Sequence, residues 1–285
     1  MALLDHSGES TALVSIRDNP DRPGGSYDFG RQVGRERELE RLRIQALAAW
    51  PVEARWLKAQ GLADGMRVLD VGCGPGFVSE QLAALNPGGK TVGLEPDPEL
   101  ARLADALFAS HPGLSLHRGS LANNDLPEND FDFAYARFVM QHLAMPTDGL
   151  RSLYRLLKPG GRVVLADADD GLTALYPEPP ELREIMRLFE AAQARAGGDR
   201  RVGRKLPGLL REAGFTDVGF DVLPFTSHQL GRRALFDIAF SFRLQEVEGG
   251  VRGEMEQLVA RAREFFASHD WHGVACIVAA SGVRP

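Results

Sequence analysis

Arg67-Val68-Leu69-Asp70-Val71-Gly72-Cys73-Gly74-Pro75-Gly76-Phe77 sets a short apolar, β-branched run against glycines at alternate positions, and Val78, Leu82 and Leu85 follow at helical spacing. The pattern reads as strand, glycine loop, helix. Such a loop brings backbone close to a ligand, and the helix that follows points its N–H groups and positive dipole end at whatever is held there. A dinucleotide fingerprint would want its third glycine at position 77, which is Phe, and no Gly-Lys-Ser/Thr follows to make a triphosphate loop. About twenty residues on, Glu95 ends a second apolar run, at the separation where a carboxylate accepts from both hydroxyls of a ribose.

The surrounding pattern supplies the scaffold. Residues 1–34 mix Ser, Asp, Pro and Gly, with Asn19-Pro20 and Pro23-Gly24-Gly25 as breakers, and read as a mobile arm. Leu39, Leu42, Leu47 and Trp50 form a helical stripe, continued by Val52, Trp56 and Leu57 after Pro51, so two helices are expected before the first strand. Strands follow at 67–71, 90–95, 114–117, 131–136 and 162–167, separated by helices over 77–85 and 98–110 and by a helical turn through His142 and another helix through Leu157. This alternation implies a mostly parallel sheet covered on both faces, in the doubly wound α/β class. After Asp170 the pattern loosens. A helix is expected over 179–196 (Leu182, Ile185, Met186, Phe189), then the basic loop 199–205, a short helix 206–213 and a strand at 216–223. Two more amphipathic helices are marked by Leu235, Ile238, Phe242 and by Met255, Leu258, Phe265, and a last strand covers 272–280. The organisation is thus a core over 35–170 and a second part over 171–285, which completes the sheet and carries helical cap insertions at 171–204 and 229–268.

Asp70 to Gly76, then Glu95, Gly119-Ser120-Leu121, Phe131-Asp132-Phe133 and Leu157-Lys158-Pro159-Gly160-Gly161 occur in that order. Over residues 37–168 this resembles the class I S-adenosylmethionine (SAM) dependent methyltransferases, and in particular the quinone-biosynthesis-like type 11 and type 25 group. The resemblance implies a seven-stranded Rossmann-like fold with an antiparallel last strand, and SAM as cofactor. It implies a site made by Asp70, Gly72, Cys73, Gly74, Gly76, Glu95, Pro96, Ser120, Leu121 and Arg137. In that site the glycines meet the methionine and adenosine parts, Asp70 orients the loop, Glu95 takes the ribose, and Ser120 and Leu121 lie at the adenine. Many relatives have Asp in place of Ser120. Arg137 is expected either to pair with the cofactor carboxylate or to lie on a surface helix turn. The N-terminal segment, with Tyr27, Phe29, Arg41 and Gln45, is expected either to cover a sheet edge or to close over the cofactor.

Methyl transfer needs a base only when the acceptor must lose a proton. His142 and Tyr27 are the candidate catalytic residues, with Asp167, His228 and His272 as scattered further options. The Asn/Asp-Pro-Pro-Tyr motif of amino-group methyltransferases is replaced by Ala136-Arg137-Phe138-Val139. Asp167, Asp169 and Asp170 supply only one of the two acidic groups that a metal-dependent catechol-type enzyme uses, so they read as a solvated strand end and no metal is expected. The basic residues Arg200, Arg201, Arg204 and Lys205 likewise read as a solvated loop.

Composition narrows the partners. The chain of 285 residues is 44% hydrophobic and 25% charged with a formal charge of -6, which speaks against a general polyanion binder. Two cysteines, Cys73 and Cys276, make neither a disulfide framework nor a metal cluster. No signal peptide or membrane-spanning run is legible, so a cytoplasmic protein is expected. The reading is a methyltransferase of a small organic acceptor through an oxygen, nitrogen or carbon nucleophile, monomeric or homodimeric, without nucleic-acid or membrane partners. A protein or RNA methyltransferase and a non-catalytic SAM-binding interaction protein are the alternatives.

Overall fold

The computed structural model describes Phe29, residues 35–237, Phe240 and residues 250–285. The expected arm, apart from Phe29, and with it Tyr27, lies outside the described residues, as do Ile238 and Phe242.

Five parallel strands form the body of the sheet: β1 (Arg67–Val71), β2 (Lys90–Glu95), β3 (Leu114–Arg118), β4 (Phe131–Arg137) and β5 (Leu157–Ala168). The helices α1 (Arg35–Ala59), α2 (Phe77–Leu85), α3 (Pro98–Phe108) and α4 (Pro146–Leu156) precede or connect them. β1 and β2 are buried along nearly their whole length, as strands covered on both faces must be. The Leu157–Gly161 segment forms the irregular start of β5. Its register against β4 breaks between Phe131 and Phe133, and Gly160 adopts a φ of +80°.

The second half contributes β6 (Ala174–Tyr176), α5 (Leu182–Arg195), α6 (Leu206–Glu212), β7 (Thr216–Thr226), α7 (Ser227–Leu230), α8 (Arg232–Phe236), α9 (Gly250–Ser268) and β8 (His272–Val283). β8 runs antiparallel to β5, β6 and β7. Val274 pairs with Ala174 on one side and Thr226 on the other, so β6 prolongs the β5 side of β8 while β7 lies on the opposite side. The sheet order β3-β2-β1-β4-β5-β8, with β7 beyond β8, is the doubly wound arrangement that the alternation implies, and β6 adds a short eighth strand.

One helix stands where two were expected. Proline removes one N–H bond and crowds the preceding turn, yet α1 runs through Pro51. Ala46 and Ala49 before it and Glu53 and Leu57 after it are all buried, so packing on both sides of the proline holds the helix together. The buried line is therefore displaced from the expected leucine stripe, and Leu47 is 41% exposed. In the cap, Ile185, Phe189, Leu235, Phe236, Met255, Val259, Phe266 and Trp271 pack into one cluster of their own. The apolar faces of α5, α8 and α9 thus make an ordinary core. Among the described residues, no helix is long and apolar enough to cross a membrane.

Candidate functional site

The glycine loop is anchored to β2 before it does anything else. Gly72 N and Cys73 N both donate to Leu94 O, at 2.8 and 3.2 Å, which brings the next residue, Glu95, alongside the loop. The glycines then divide the work. Gly76, at φ +92°, lies so close to the Phe108 ring that a Cβ would come within 2.5 Å of it. Gly74, at φ +57°, faces open space, and a Cβ there would meet nothing within 4 Å. Its N–H donates to Glu95 Oε2 at 2.8 Å, while Asp97 N donates to Oε1 at 2.9 Å. Asp97 in turn caps α3 through Glu99 N and Leu100 N.

Glu95 is buried, and burial pushes its carboxyl up to about 7 against the pull of the two N–H groups. Asp70, buried beneath the loop, is also raised by burial to about 7, with the Ser79 hydroxyl (2.6 Å from Oδ2) and Arg137 opposing. Gly119 N donates to the carbonyl of Glu95 at 3.1 Å, so the Ser120–Asn123 turn stands beside it. Leu121 is buried in the main core, Cys73 is buried under the loop, and Pro96 is exposed. The residues expected around the cofactor therefore gather at the carboxyl ends of β1, β2 and β3.

Arg137 is placed differently from the expectation that it meets a cofactor carboxylate. Its Nε and Nη2 bond both oxygens of Glu53 on α1, at 2.8 and 2.9 Å, and Nη2 also donates to Gln45 O at 2.9 Å. The Tyr135 hydroxyl donates to Glu53 Oε2 at 2.8 Å, so the buried carboxylate is fully engaged. Burial alone would lower the Arg137 pKa, but Glu53 outweighs it and the pKa rises. Sequence reading missed Glu53, although an acid at helical spacing between Ala49 and Leu57 was a visible signal.

The acidic end of β5 and the basic loop are corrected together. The strand end is not solvated as expected, since Asp167, Asp169 and Asp170 are all buried; of the loop's four basic residues Arg200 is buried, while Arg201, Arg204 and Lys205 are exposed as expected. Arg200 forks onto both oxygens of Asp170 (3.2 and 3.0 Å), bonds the side-chain oxygen of Gln141 and lies over the Phe189 ring. Arg204 forks onto Asp169 with two bonds of 2.6 Å. Arg201 and Lys205 stay on the outside, paired with Glu190 and Asp199. Asp167 accepts from Gln141 N at 3.2 Å and Ala168 N at 2.9 Å, and burial raises it to about 7.

His142 ends the helical turn after β4, with Gln193 Nε2 at 3.5 Å from its Nδ1. Burial pushes its imidazole down to about 3, with Arg200 and Arg41 adding to the effect, so it is a neutral and weak proton acceptor at neutral pH. His228 and His272 are exposed, His228 in α7 just after β7 and His272 at the start of β8.

Beside the glycine loop, over the carboxyl ends of β4 and β5, lies a cavity of about 80 Å³. Gln45, Ala48 and Ala49 of α1 form one wall, Arg137 and Phe138 a second, Asp169, Asp170 and Arg200 a third, and Phe225 and Cys276 stand opposite. Gly72 joins the two regions, since a Cβ on it would come within 2.9 Å of Val139, two residues beyond Arg137.

A family model described as a methyltransferase domain matches residues 69–163. An O-methyltransferase of Aspergillus nomiae is 32% identical over 166 residues, 57% of this chain and 70% of that protein. A demethylmenaquinone methyltransferase of Listeria monocytogenes is 24% identical over 218 residues, covering 72% of this chain and 91% of that protein. For curated relatives from Streptomyces fradiae and Schizosaccharomyces pombe the match spans only about half of the relative's length, 51% and 55%. A solved structure from Thermotoga maritima, described as a possible histamine N-methyltransferase, has a TM-score of 0.56 at 19% identity, covering 91% of this chain and 100% of that one, and shares its fold.

Proposed function

The chain belongs to the SAM-dependent methyltransferases, and on that premise we propose that it transfers a methyl group to a small organic acceptor seated in the cavity over β4 and β5. The observation that carries the proposal is the open side of Gly74, next to a buried Glu95 carboxylate whose two oxygens are each fixed by one backbone N–H. That arrangement fits SAM: each carboxylate oxygen keeps a lone pair for one ribose hydroxyl, and backbone can approach the ligand where Gly74 has no side chain. Asp70, Gly72, Cys73, Gly76, Pro96, Ser120 and Leu121 complete this cradle in the proposal. Arg137 holds α1 over the neighbouring cavity through Glu53 and Gln45.

When bound, SAM supplies a methyl group activated on sulfur. The chain's own contribution is placement. α1 walls the cavity from outside, and Arg137 and Phe138 line it beside the cradle. Holding the acceptor's nucleophile in line and excluding water account for much of the acceleration such a site can give. The relatives named as O-methyltransferase and demethylmenaquinone methyltransferase support a hydroxylated aromatic or quinone-like acceptor.

The test is transfer of labelled methyl from SAM to a panel of phenols, hydroquinones, indoles and amines, with RNA and a protein mixture alongside. Label on the small molecules is expected. Label on RNA or protein alone would replace the acceptor class, and cofactor binding with no transfer anywhere would make the chain a non-catalytic SAM binder.

A further inference from the structure

Among the described residues, four charged side chains line the cavity over β4 and β5: Arg137, Asp169, Asp170 and Arg200. Each is neutralised within the protein. Arg137 pairs with Glu53 at 2.8 Å, Arg200 with Asp170 at 3.0 Å, and Asp169 with Arg204 at 2.6 Å. The cavity's charged wall, partners included, therefore sums to zero, since three cations face three anions. The rest of its lining is apolar or neutral and polar, with Gln45, Thr173 and Cys276 as the polar members.

A charged ligand gains its place in a protein from an opposite charge that is not already matched. Here an anion or an ammonium would lose its hydration and meet only closed pairs, whereas a neutral hydroxyl can still share the lone pairs and N–H groups those pairs leave over. The three pairs differ in one respect. Glu53 and Asp170 face arginines that are themselves buried, but Arg204 is half in solvent (48% exposed) while its partner Asp169 is 1% exposed. The Asp169–Arg204 pair is thus the one whose charge balance is set from outside the cavity.

We infer that the acceptor is uncharged at the end that enters this cavity, and that the Asp169–Arg204 pair sets this preference. The inference rests on reading the cavity as the acceptor site. The full chain, with and without S-adenosylhomocysteine, is titrated calorimetrically at neutral pH with naphthol, naphthoate and naphthylmethylammonium. Naphthol is expected to bind at least about tenfold tighter than either charged probe. Asp169→Asn, which leaves Arg204 unmatched, should shift the naphthoate-to-naphthol affinity ratio at least about tenfold toward naphthoate. Arg204→Gln, which changes a half-exposed residue but takes away both of its bonds to the buried Asp169 carboxylate, should shift the ammonium-to-naphthol ratio toward the ammonium. A charged probe that binds the unaltered protein as tightly as naphthol, ratios unmoved in both variants, or no binding of any probe overturns the inference. Labelled methyl transfer to naphthol, recorded separately, tests catalysis on this acceptor. A binding preference without transfer keeps the charge inference and removes catalysis on this acceptor, and transfer without a preference does the reverse.

Discussion

Replacing Glu95 by Gln changes one atom of the side chain and two hydrogen-bonding directions. In the protein, Oε2 accepts from Gly74 N and Oε1 from Asp97 N, each below 3 Å. An amide keeps one acceptor oxygen and puts an NH₂ where the second stood. That NH₂ faces a backbone N–H, donor against donor, and presents a donor to a ribose hydroxyl that had been donating to the carboxylate. One charge-assisted bond to the ligand is lost, about 1.5–3 kcal/mol, or about 10- to 150-fold in Kd for S-adenosylhomocysteine.

The effect has a pH signature. The Glu95 carboxyl of the ligand-free protein titrates at about 7 because burial raises it. Hydroxyl donors favour its ionised form, so below that pH binding expels a proton. Affinity then rises with pH, by up to about tenfold per unit, and levels off above about 7. The Gln variant should lose this part of the slope. Calorimetry at several pH values reads both quantities. An affinity within about twofold of the unaltered protein, with the same pH slope, would remove Glu95 from the site.

Gly74→Ala and Gly76→Ala should fail in opposite ways. The first has room for a methyl and should keep its melting temperature within a few degrees, yet lose cofactor affinity, whereas the second drives a Cβ into the Phe108 ring and should lower the melting temperature itself. Arg137→Ala strands the buried Glu53 carboxylate and should cost about 3–5 kcal/mol by denaturant unfolding, with part of the loss recovered in an Arg137→Met, Glu53→Gln double variant. Asp167, raised to about 7 by burial, lends stability that is full below the ordinary carboxylate range and fades as pH rises through about 7. The melting-temperature advantage of the unaltered protein over Asp167→Asn should therefore grow between about pH 7 and about pH 5, and a constant difference would contradict the assignment.

The strand, glycine loop and helix around Asp70 were legible because their signals lie within one short stretch, residues 67–85: a β-branched run, glycines at alternate positions and a helical repeat. Glu95 was legible because its distance from the loop is fixed by one helix and one strand. The pairs Asp169–Arg204 and Asp170–Arg200 were not, because partners thirty or more residues apart meet only when α5 folds out and returns. Each half read alone looks like a solvated run of one charge. Pro51 misled for a related reason: a proline usually ends a helix locally, but buried residues on both sides of it belong to a tertiary contact. β6 has only three residues and no pattern of its own, so its pairing with His272–Val274 depends on β8 being in place.

That position of β8 also governs how the chain can assemble. The strand lies between β5 and β7, both of which precede it in the sequence, and it pairs with seven residues of β5, from Arg162 to Ala168. During synthesis β5 and β7 are complete while the residues that join them are still to come, so each waits as an unpaired edge. Contacts of such long sequence separation form slowly and leave partly folded chains open to edge-to-edge association. Chains halted before Trp271 should therefore aggregate rather than fold to a smaller core. Addition of a peptide carrying 271–285 during refolding should rescue them into a soluble form.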